Sequence, residues 1–245
     1  EAVLPHLPPA AGAAEPARLK VAVVGRPNVG KSSYINRLVG RDRLIVSAVP
    51  GTTRDTVSVP FTLQAADGAE RHYTLVDTAG MRKQGRVHAS VEKFSLFRAE
   101  QGIAEADIVV LVLDAAEGPG SQEKKVAALI REHHKACVVL VNKWDLAKGT
   151  PVKAEDYEAQ MRRELFFLGD IPVLFVSAAS GFQIRRSFET IDTVAARLQT
   201  KMPTGVLNRV LRDAFAQSQP PDARARQLDV YCATQRVVVR PRLDL

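Results

Sequence analysis

The stretch from Lys20 to Leu38, KVAVVGRPNVGKSSYINRL, determines the fold that we predict for the rest of the chain. Its first apolar residues, 21–24, are β-branched or small and are typical of a buried strand. Residues 25–32, GRPNVGKS, match the pattern G-x-x-x-x-G-K-[ST], and an apolar-periodic helix follows. A strand, a glycine-rich loop and a helix N-terminus in this order predict a phosphate-binding loop.

The parts of this loop have separate predicted roles. Its backbone N–H groups point at the phosphates, and the glycines let the backbone approach them closely. The ammonium group of Lys31 is a point charge for the β- and γ-phosphates, and the Ser32 hydroxyl is placed to bind Mg²⁺. The alternative is a glycine turn that binds nothing. The nucleotide-binding residues predicted here are Gly25, Arg26, Pro27, Asn28, Val29, Gly30, Lys31 and Ser32.

Two further stretches predict contacts with Mg²⁺ and the γ-phosphate. The segment 41–59 is predicted to be a long exposed loop, because its Pro-Gly pair followed by threonines is not a helix pattern. In that loop Thr53 can reach Mg²⁺, although an ordinary surface loop explains the pattern equally well. After a predicted strand, Asp77 can hold Mg²⁺ through water, and the Gly80 N–H can face the γ-phosphate. The predicted nucleotide-binding residues here are Asp77, Thr78, Ala79, Gly80 and Met81.

The sequence Asn142-Lys143-Trp144-Asp145 follows a predicted buried strand, 136–141, and indicates a base-binding site. The Asp145 carboxylate can accept hydrogen bonds from N1–H and the N2 amine of guanine, a donor pair that adenine lacks. We expect Asn142 to join loops and the stem of Lys143 to lie over the purine. Backbone N–H groups after the last predicted strand are placed to meet O6 of guanine, at Ser177, Ala178 and Ala179.

Alternation of strands and helices predicts an α/β fold with one doubly wound, mostly parallel sheet. The strand 57–63 is predicted to pair with 72–76 and to form the antiparallel edge. Four motifs fall at predicted carboxyl ends of strands, where such sheets bind ligands. They are the stretches 25–32, 77–81, 142–145 and 177–179. The last helix of the sheet domain, 181–200, is predicted to turn four apolar residues inward, namely Phe182, Phe188, Ile191 and Val194.

We predict three regions along the chain. Residues 1–18 are rich in alanine and proline and read as a linker or arm. Residues 19–201 form the nucleotide-binding domain. Residues 202–245 carry arginine but no lysine, include a helix over about 206–216, and are too short to bury a core alone.

Composition and charge exclude several classes of protein. No apolar run approaches a membrane-spanning length, so we expect no membrane partner. Two separated cysteines cannot form a disulfide framework, which favours a cytoplasmic protein. The net charge of +7 favours anionic partners, nucleic acid before membrane surfaces.

Five stretches of the sequence together resemble the Der (EngA) family of bacterial GTPases, namely GRPNVGKSSYINRL, PGTTRD, DTAGM, NKWD and SAAS. Residues 77–95 and 202–215 resemble its second GTPase domain and the start of its KH-like domain. The resemblance implies a P-loop GTPase fold, GTP and GDP as ligands, and association with the large ribosomal subunit or its rRNA during assembly. It also implies a further, upstream GTPase domain and an incomplete KH-like domain, with residues missing between Gln235 and Arg236.

Hydrolysis of GTP is expected to depend on Lys31, Thr53 and Gly80, because phosphoryl transfer needs positioning and charge neutralisation. Met81 stands where Ras-like proteins place a water-orienting glutamine, so we expect slow intrinsic hydrolysis. Asn28, with carbonyls of the PGTTRD loop, resembles the potassium-binding arrangement of related GTPases. We therefore hypothesise that K⁺ stimulates turnover, the alternative being that Asn28 is only a turn residue.

Other functions stay open at this point. One is a nucleotide-gated module that docks on RNA or the ribosome with negligible hydrolysis. Another is a tRNA-modification GTPase, which shares the motifs but would have a cysteine near its C-terminus and flanking helices. An ATP-dependent kinase is disfavoured by Asn142 and Asp145.

Overall fold

A computed structural model describes residues 18–39, 44–46, 59–64, 68–76, 91–147 and 153–217 of the chain. Its strands are β1 (Leu19–Val24), β2 (Leu44–Val46), β3 (Val59–Gln64), β4 (Glu70–Val76), β5 (Ile108–Asp114), β6 (Ala136–Asn142) and β7 (Val173–Phe175). The α-helices are α1 (Lys31–Val39), α2 (Val91–Glu105), α3 (Ser121–Glu132), α4 (Trp144–Ala147), α5 (Ala154–Glu164), α6 (Ile184–Gln199) and α7 (Thr204–Gln217), and a 3₁₀ helix covers Phe166–Leu168.

The strands form one sheet in the order β2-β3-β4-β1-β5-β6-β7. Strand β1 is parallel to β4 and β5, and β6 is parallel to β5 and β7. Strand β3 is antiparallel to both β2 and β4. The predicted α/β class and its mostly parallel sheet are therefore confirmed.

Alternating side chains of β5 divide the core into two layers. Ile108, Val110 and Val112 pack on the face that also receives α1 and α6. Val109 and Leu111 face the other layer, which contains residues of α2, α3 and α5. All seven residues of β5 are buried, as a strand covered on both faces requires.

Two details of the sequence analysis are wrong. The segment predicted as a loop over 41–59 contains strand β2, which pairs with β3, so β2 and not β3 lies at the edge. In the helix predicted over 181–200, the side chain of Phe182 is 38% exposed, because α6 begins only at Ile184. The other three apolar residues predicted to face inward are buried, namely Phe188, Ile191 and Val194.

The chain divides into two compact units, Glu1–Ala196 and Arg197–Leu245. In the second unit, α7 confirms the helix predicted near 206–216 and begins directly after Pro203. The KH-like domain, the Gln235–Arg236 junction and the arm over 1–18 involve segments outside the described residues, and they stay predictions. No helix in the described part of the chain is long and apolar enough to cross a membrane.

Candidate functional site

The loop between β1 and α1, predicted to bind phosphate, has positive φ angles at three of its residues. Gly25 and Gly30 have φ values of 147° and 95°. The backbone of a residue with a side chain would be strained at these angles. Asn28 is also left-handed, with φ 64°, a conformation that asparagine tolerates. The N-terminus of α1 follows directly, so its first N–H groups and its dipole face this loop.

Lys31 is held by the loop itself. Its Nζ donates hydrogen bonds to the carbonyl oxygens of Gly25 at 2.8 Å and Arg26 at 2.6 Å. Burial lowers the pKa of Lys31 from its usual 10.5 to about 8. The ammonium group is thus positioned beside the loop and partly stripped of water, where it attracts an anion more strongly than a solvated lysine does.

Asn142 joins three parts of the site. Its Nδ2 donates to the carbonyl oxygen of Val29 at 2.8 Å, and its Oδ1 accepts from the Ala178 N–H at 2.9 Å. The side chain is 2% exposed, so both bonds are shielded from water. The loop-joining contact expected of Asn142 is therefore present, and it connects the β1–α1 loop to both segments that are predicted to bind the base.

Replacing Gly30 by alanine is expected to break this connection. A Cβ at Gly30 would overlap Asn142 Nδ2, and its φ of 95° strains any side chain. We expect Gly30→Ala to lower the free energy of unfolding by about 2 kcal/mol and to weaken nucleotide binding at least about tenfold. Chemical denaturation and titration calorimetry measure the two effects.

Gly169→Ala is the matched control. Gly169 has a similar left-handed φ of 74° but nothing within 4 Å of an added Cβ. We expect this variant to lose about 1 kcal/mol of stability from backbone strain and to bind nucleotide normally. Normal binding by Gly30→Ala as well would show that the Asn142 connection does not matter for the ligand.

Asp145 lies at the start of α4 with an unpaired acceptor. Its Oδ1 is buried and has no hydrogen-bond partner among the described residues. Beside it, Lys143 is left-handed with φ 62°, and its Nζ forms an ion pair with Asp114 Oδ2 at 2.7 Å. The sequence analysis did not assign a role to Asp114, the carboxylate that orients Lys143. Its position at the end of β5, beside the other motifs, could have indicated one.

An aromatic cluster packs around Trp144, next to the predicted base-binding residue Asp145. The ring of Trp144 lies 4.4 Å from that of Phe175 and 5.9 Å from that of Tyr157, measured between centroids. The Tyr157 hydroxyl donates to the backbone carbonyl of Asp114 at 3.2 Å. These contacts fix the backbone on both sides of Asp145 through packing.

The segment after β7 contributes fewer free donors than the sequence suggests. The Ser177 N–H donates to the carbonyl of Phe182 at 3.1 Å, and the Ala178 N–H donates to Asn142. Of the three predicted donors, Ala179 is the one whose N–H has no acceptor in the described part of the chain. Its carbonyl accepts from Arg37 Nη2 of α1 at 2.7 Å, which holds this residue beside the phosphate-loop helix.

Arg26 connects the phosphate loop to the segment after β5. Its Nη2 lies 2.6 Å from Glu117 Oε2, and its Nε is in direct ionic contact with Glu123 Oε1. Glu123 is buried, and its Oε2 accepts from the Gly120 N–H at 2.9 Å, which caps α3. No sequence pattern links these residues, because they are about a hundred positions apart and meet only through the fold.

The remaining predicted residues concern Mg²⁺, K⁺ and the nucleotide contacts at 77–81. Ser32, the second residue of α1, provides a hydroxyl oxygen next to Lys31, which fits the preference of Mg²⁺ for oxygen ligands. Asn28 is exposed in the loop, as a cation ligand or a turn residue would be. The other predicted residues lie outside the described part of the chain, namely Thr53, Asp77, Thr78, Ala79, Gly80 and Met81.

Comparison with solved structures gives the same fold. Era, solved with MgGDPNP and nucleotides 1506–1542 of 16S ribosomal RNA, matches with a TM-score of 0.50 and 26% identity, over 70% of this chain and 55% of that one. The elongation factor SelB from Methanococcus maripaludis, solved with a GTP analogue, matches with a TM-score of 0.51 over 76% of this chain and 35% of that one. At 17% identity SelB shows the fold alone.

Comparison of sequences identifies the family. A family described as 50S ribosome-binding GTPase matches residues 20–143. GTPase Der of Desulforudis audaxviator is 44% identical over 92% of this chain and 51% of its own length. GTPase Der of Moorella thermoacetica is 42% identical over 98% and 53%. This chain spans about half the length of these curated relatives. The resemblance stated from the motifs is thus confirmed, and the chain belongs to the 50S ribosome-binding GTPase family as a relative of GTPase Der.

Proposed function

We propose that this chain binds GTP and GDP, hydrolyses GTP with the help of Mg²⁺, and acts in assembly of the large ribosomal subunit. The observation that carries the proposal is the Asn142 connection. It joins the loop that we propose to bind phosphate to the loop that we propose to bind the base, where Asp145 Oδ1 is buried and has no hydrogen-bond partner within the described ranges. A buried unpaired acceptor is costly, and a ligand with donors removes that cost.

Guanine supplies the required donors. Its N1–H and N2 amine pair with the Asp145 carboxylate, whereas adenine would leave this carboxylate unpaired. The Ala179 N–H, which has no acceptor among the described residues, is the backbone donor that we assign to guanine O6. Lys143, oriented by Asp114, provides the stem that we expect to cover the purine.

At the phosphates, this chain's residues position and neutralise charge. Lys31 presents its ammonium group to the β- and γ-phosphates, and the N-terminus of α1 donates backbone N–H groups. Ser32, with Thr53 and Asp77 as further predicted ligands, would hold Mg²⁺, which supplies charge neutralisation at the phosphate oxygens when bound. Gly80 is the proposed backbone donor to the γ-phosphate.

The ribosomal partner is supported by family rather than by geometry. The matched family is described as 50S ribosome-binding, which supports the large subunit, and Era is solved with a piece of 16S ribosomal RNA, which supports only an RNA partner. The net charge of +7 suits an RNA partner. We propose the large subunit or its rRNA as the partner of this chain.

Turnover of GTP in the presence and absence of purified large ribosomal subunits tests the whole proposal. We expect tight binding of GDP but not ADP, slow turnover of GTP alone, and faster turnover with the subunits. Tight guanine binding without any turnover would replace hydrolysis by the docking-module function. Equal affinity for GDP and ADP would overturn the base assignment.

A prediction about potassium follows from Asn28. If its side chain binds K⁺ beside the phosphates, the positive charge of the ion stabilises the transition state as an arginine finger does. We expect GTP turnover to be at least about tenfold faster in KCl than in NaCl, and Asn28→Ala to remove the difference. Phosphate release at matched ionic strength measures it.

Asn36→Ala is the matched control, because Asn36 is an exposed asparagine on the neighbouring helix α1. It should keep the full response to potassium. Equal turnover of the unchanged chain in the two salts would leave Asn28 as a turn residue, which its φ of 64° also explains.

A further inference from the structure

Glu123 is a buried carboxylate that the proposed chemistry does not use. Its side chain has 0% exposure, on the first turn of α3. One carboxylate oxygen accepts the Gly120 N–H, and the other is in ionic contact with Arg26 Nε. A buried carboxylate is costly unless it is paired, so this contact constrains where Arg26 can lie.

Arg26 transmits that constraint to the phosphate loop. Its guanidinium group binds Glu123 and Glu117, while its backbone carbonyl accepts a hydrogen bond from Lys31 Nζ at 2.6 Å. One residue therefore carries both the anchor to α3 and an acceptor that orients the lysine. A shift of Arg26 would move this carbonyl and the neighbouring carbonyl of Gly25, the two acceptors of Lys31.

We infer that Glu123 is a positioning residue for the phosphate loop. Through Arg26 it holds the loop and Lys31 in the arrangement that receives the β-phosphate of a guanine nucleotide. The inference rests on the proposed function and assigns to that function a residue outside its sequence motifs.

The two acidic partners of Arg26 contribute unequally. Glu117 has a side chain that is 61% exposed, so water and salt screen its pair with Arg26. Glu123 is shielded from both. Positioning therefore depends on Glu123, and Glu117 is an internal control that contacts the same guanidinium group.

Titration calorimetry of the full chain with GDP tests the inference on Glu123→Gln. Loss of the buried negative charge that faces Arg26 is expected to raise the Kd for GDP about tenfold. The number of binding sites should stay the same, because misplacement of the loop raises the Kd without unfolding the chain. A folding defect would instead lower the fraction of active protein and with it the number of sites. The ratio of IDP to GDP affinity should also stay unchanged, because the base-binding loop is intact.

Control variants make the result specific. Glu117→Gln and Glu132→Gln, an exposed glutamate at the other end of α3, should bind GDP like the unchanged chain. Arg26→Gln should weaken GDP to a similar degree, and combining it with Glu123→Gln should add little. This second variant tests the same link if Glu123→Gln does not fold.

Wild-type affinity for GDP in both Glu123→Gln and Arg26→Gln would overturn the inference and leave the proposed function intact. A reduced number of sites with an unchanged Kd would also overturn it, since it indicates a structural role. Failure of the unchanged chain to bind GDP would instead overturn the proposed function.

Discussion

Asp145→Asn is expected to change the base that this chain prefers from guanine to xanthine. The Asp145 Oδ1 atom is a buried acceptor without a partner among the described residues, so the carboxylate is suited to accept from the N1–H and N2 amine of guanine. An asparagine amide places a donor there, which clashes with the N2 amine but pairs with the carbonyl of xanthine. Sites built on such hydrogen bonds discriminate by roughly 10⁴-fold, and we expect a change of that order in the ratio of XDP to GDP affinity.

Competition of XDP and GDP against a fluorescent guanine nucleotide measures this change. The neighbouring Trp144 is the single tryptophan of the chain, so its intrinsic fluorescence gives a second, label-free measurement. Asp156→Asn, the same substitution at an exposed site on α5, is the control and should leave the preference unchanged. An unchanged preference in Asp145→Asn would refute the base assignment.

Lys31→Met is expected to remove most of the affinity for GTP. Methionine keeps a flexible apolar stem but lacks the charge, and the hydrogen bonds that the ammonium group makes to phosphates are charge-assisted. We expect the Kd to rise at least about 100-fold. Titration calorimetry at pH 7 measures the loss, and Lys125→Met, at an exposed lysine on α3, should show none.

The pH dependence of binding gives Lys31 a distinctive signature. In the ligand-free chain its pKa is about 8, against 10.5 when it is exposed. Phosphates bind the charged form, so affinity should fall as the pH rises through 8. Stability of the ligand-free chain has the opposite trend from this group: the unfolded chain keeps the proton between pH 8 and 10.5, so stability rises there. An identical pH slope in Lys31→Met would rule out Lys31 as its source.

The sequence predicts the sheet and the motifs well because both depend on local patterns. Strand β5 is a continuous apolar run, the phosphate loop lies between β1 and α1, and the NKWD motif starts at the last residue of β6. Strand β2 was missed because three residues, Leu44–Val46, are too few to show an alternation. They become a strand through pairing with Phe61–Leu63, which no local window contains.

The contacts between motifs are less predictable than the motifs. The Asn142 bond to Val29 joins residues 113 positions apart, and a role for Asn142 was expected only in general terms. The Arg26–Glu123 pair was not expected, because a glutamate in the first turn of an exposed-looking helix usually faces water. Phe182 shows the opposite error, because it was predicted to be buried and is exposed. An apolar residue next to a helix need not be part of the buried face of that helix.

The two hydrogen bonds of Asn142 have a consequence for how a whole nucleotide compares with its pieces. The carbonyl of Val29 belongs to the phosphate end and the N–H of Ala178 to the base end, so ordering one end partly orders the other. Guanosine alone and pyrophosphate alone would each bear the full cost of arranging both ends. An intact nucleotide bears that cost once and presents its second half at a high effective concentration. Its affinity should therefore exceed what the affinities of the two fragments suggest.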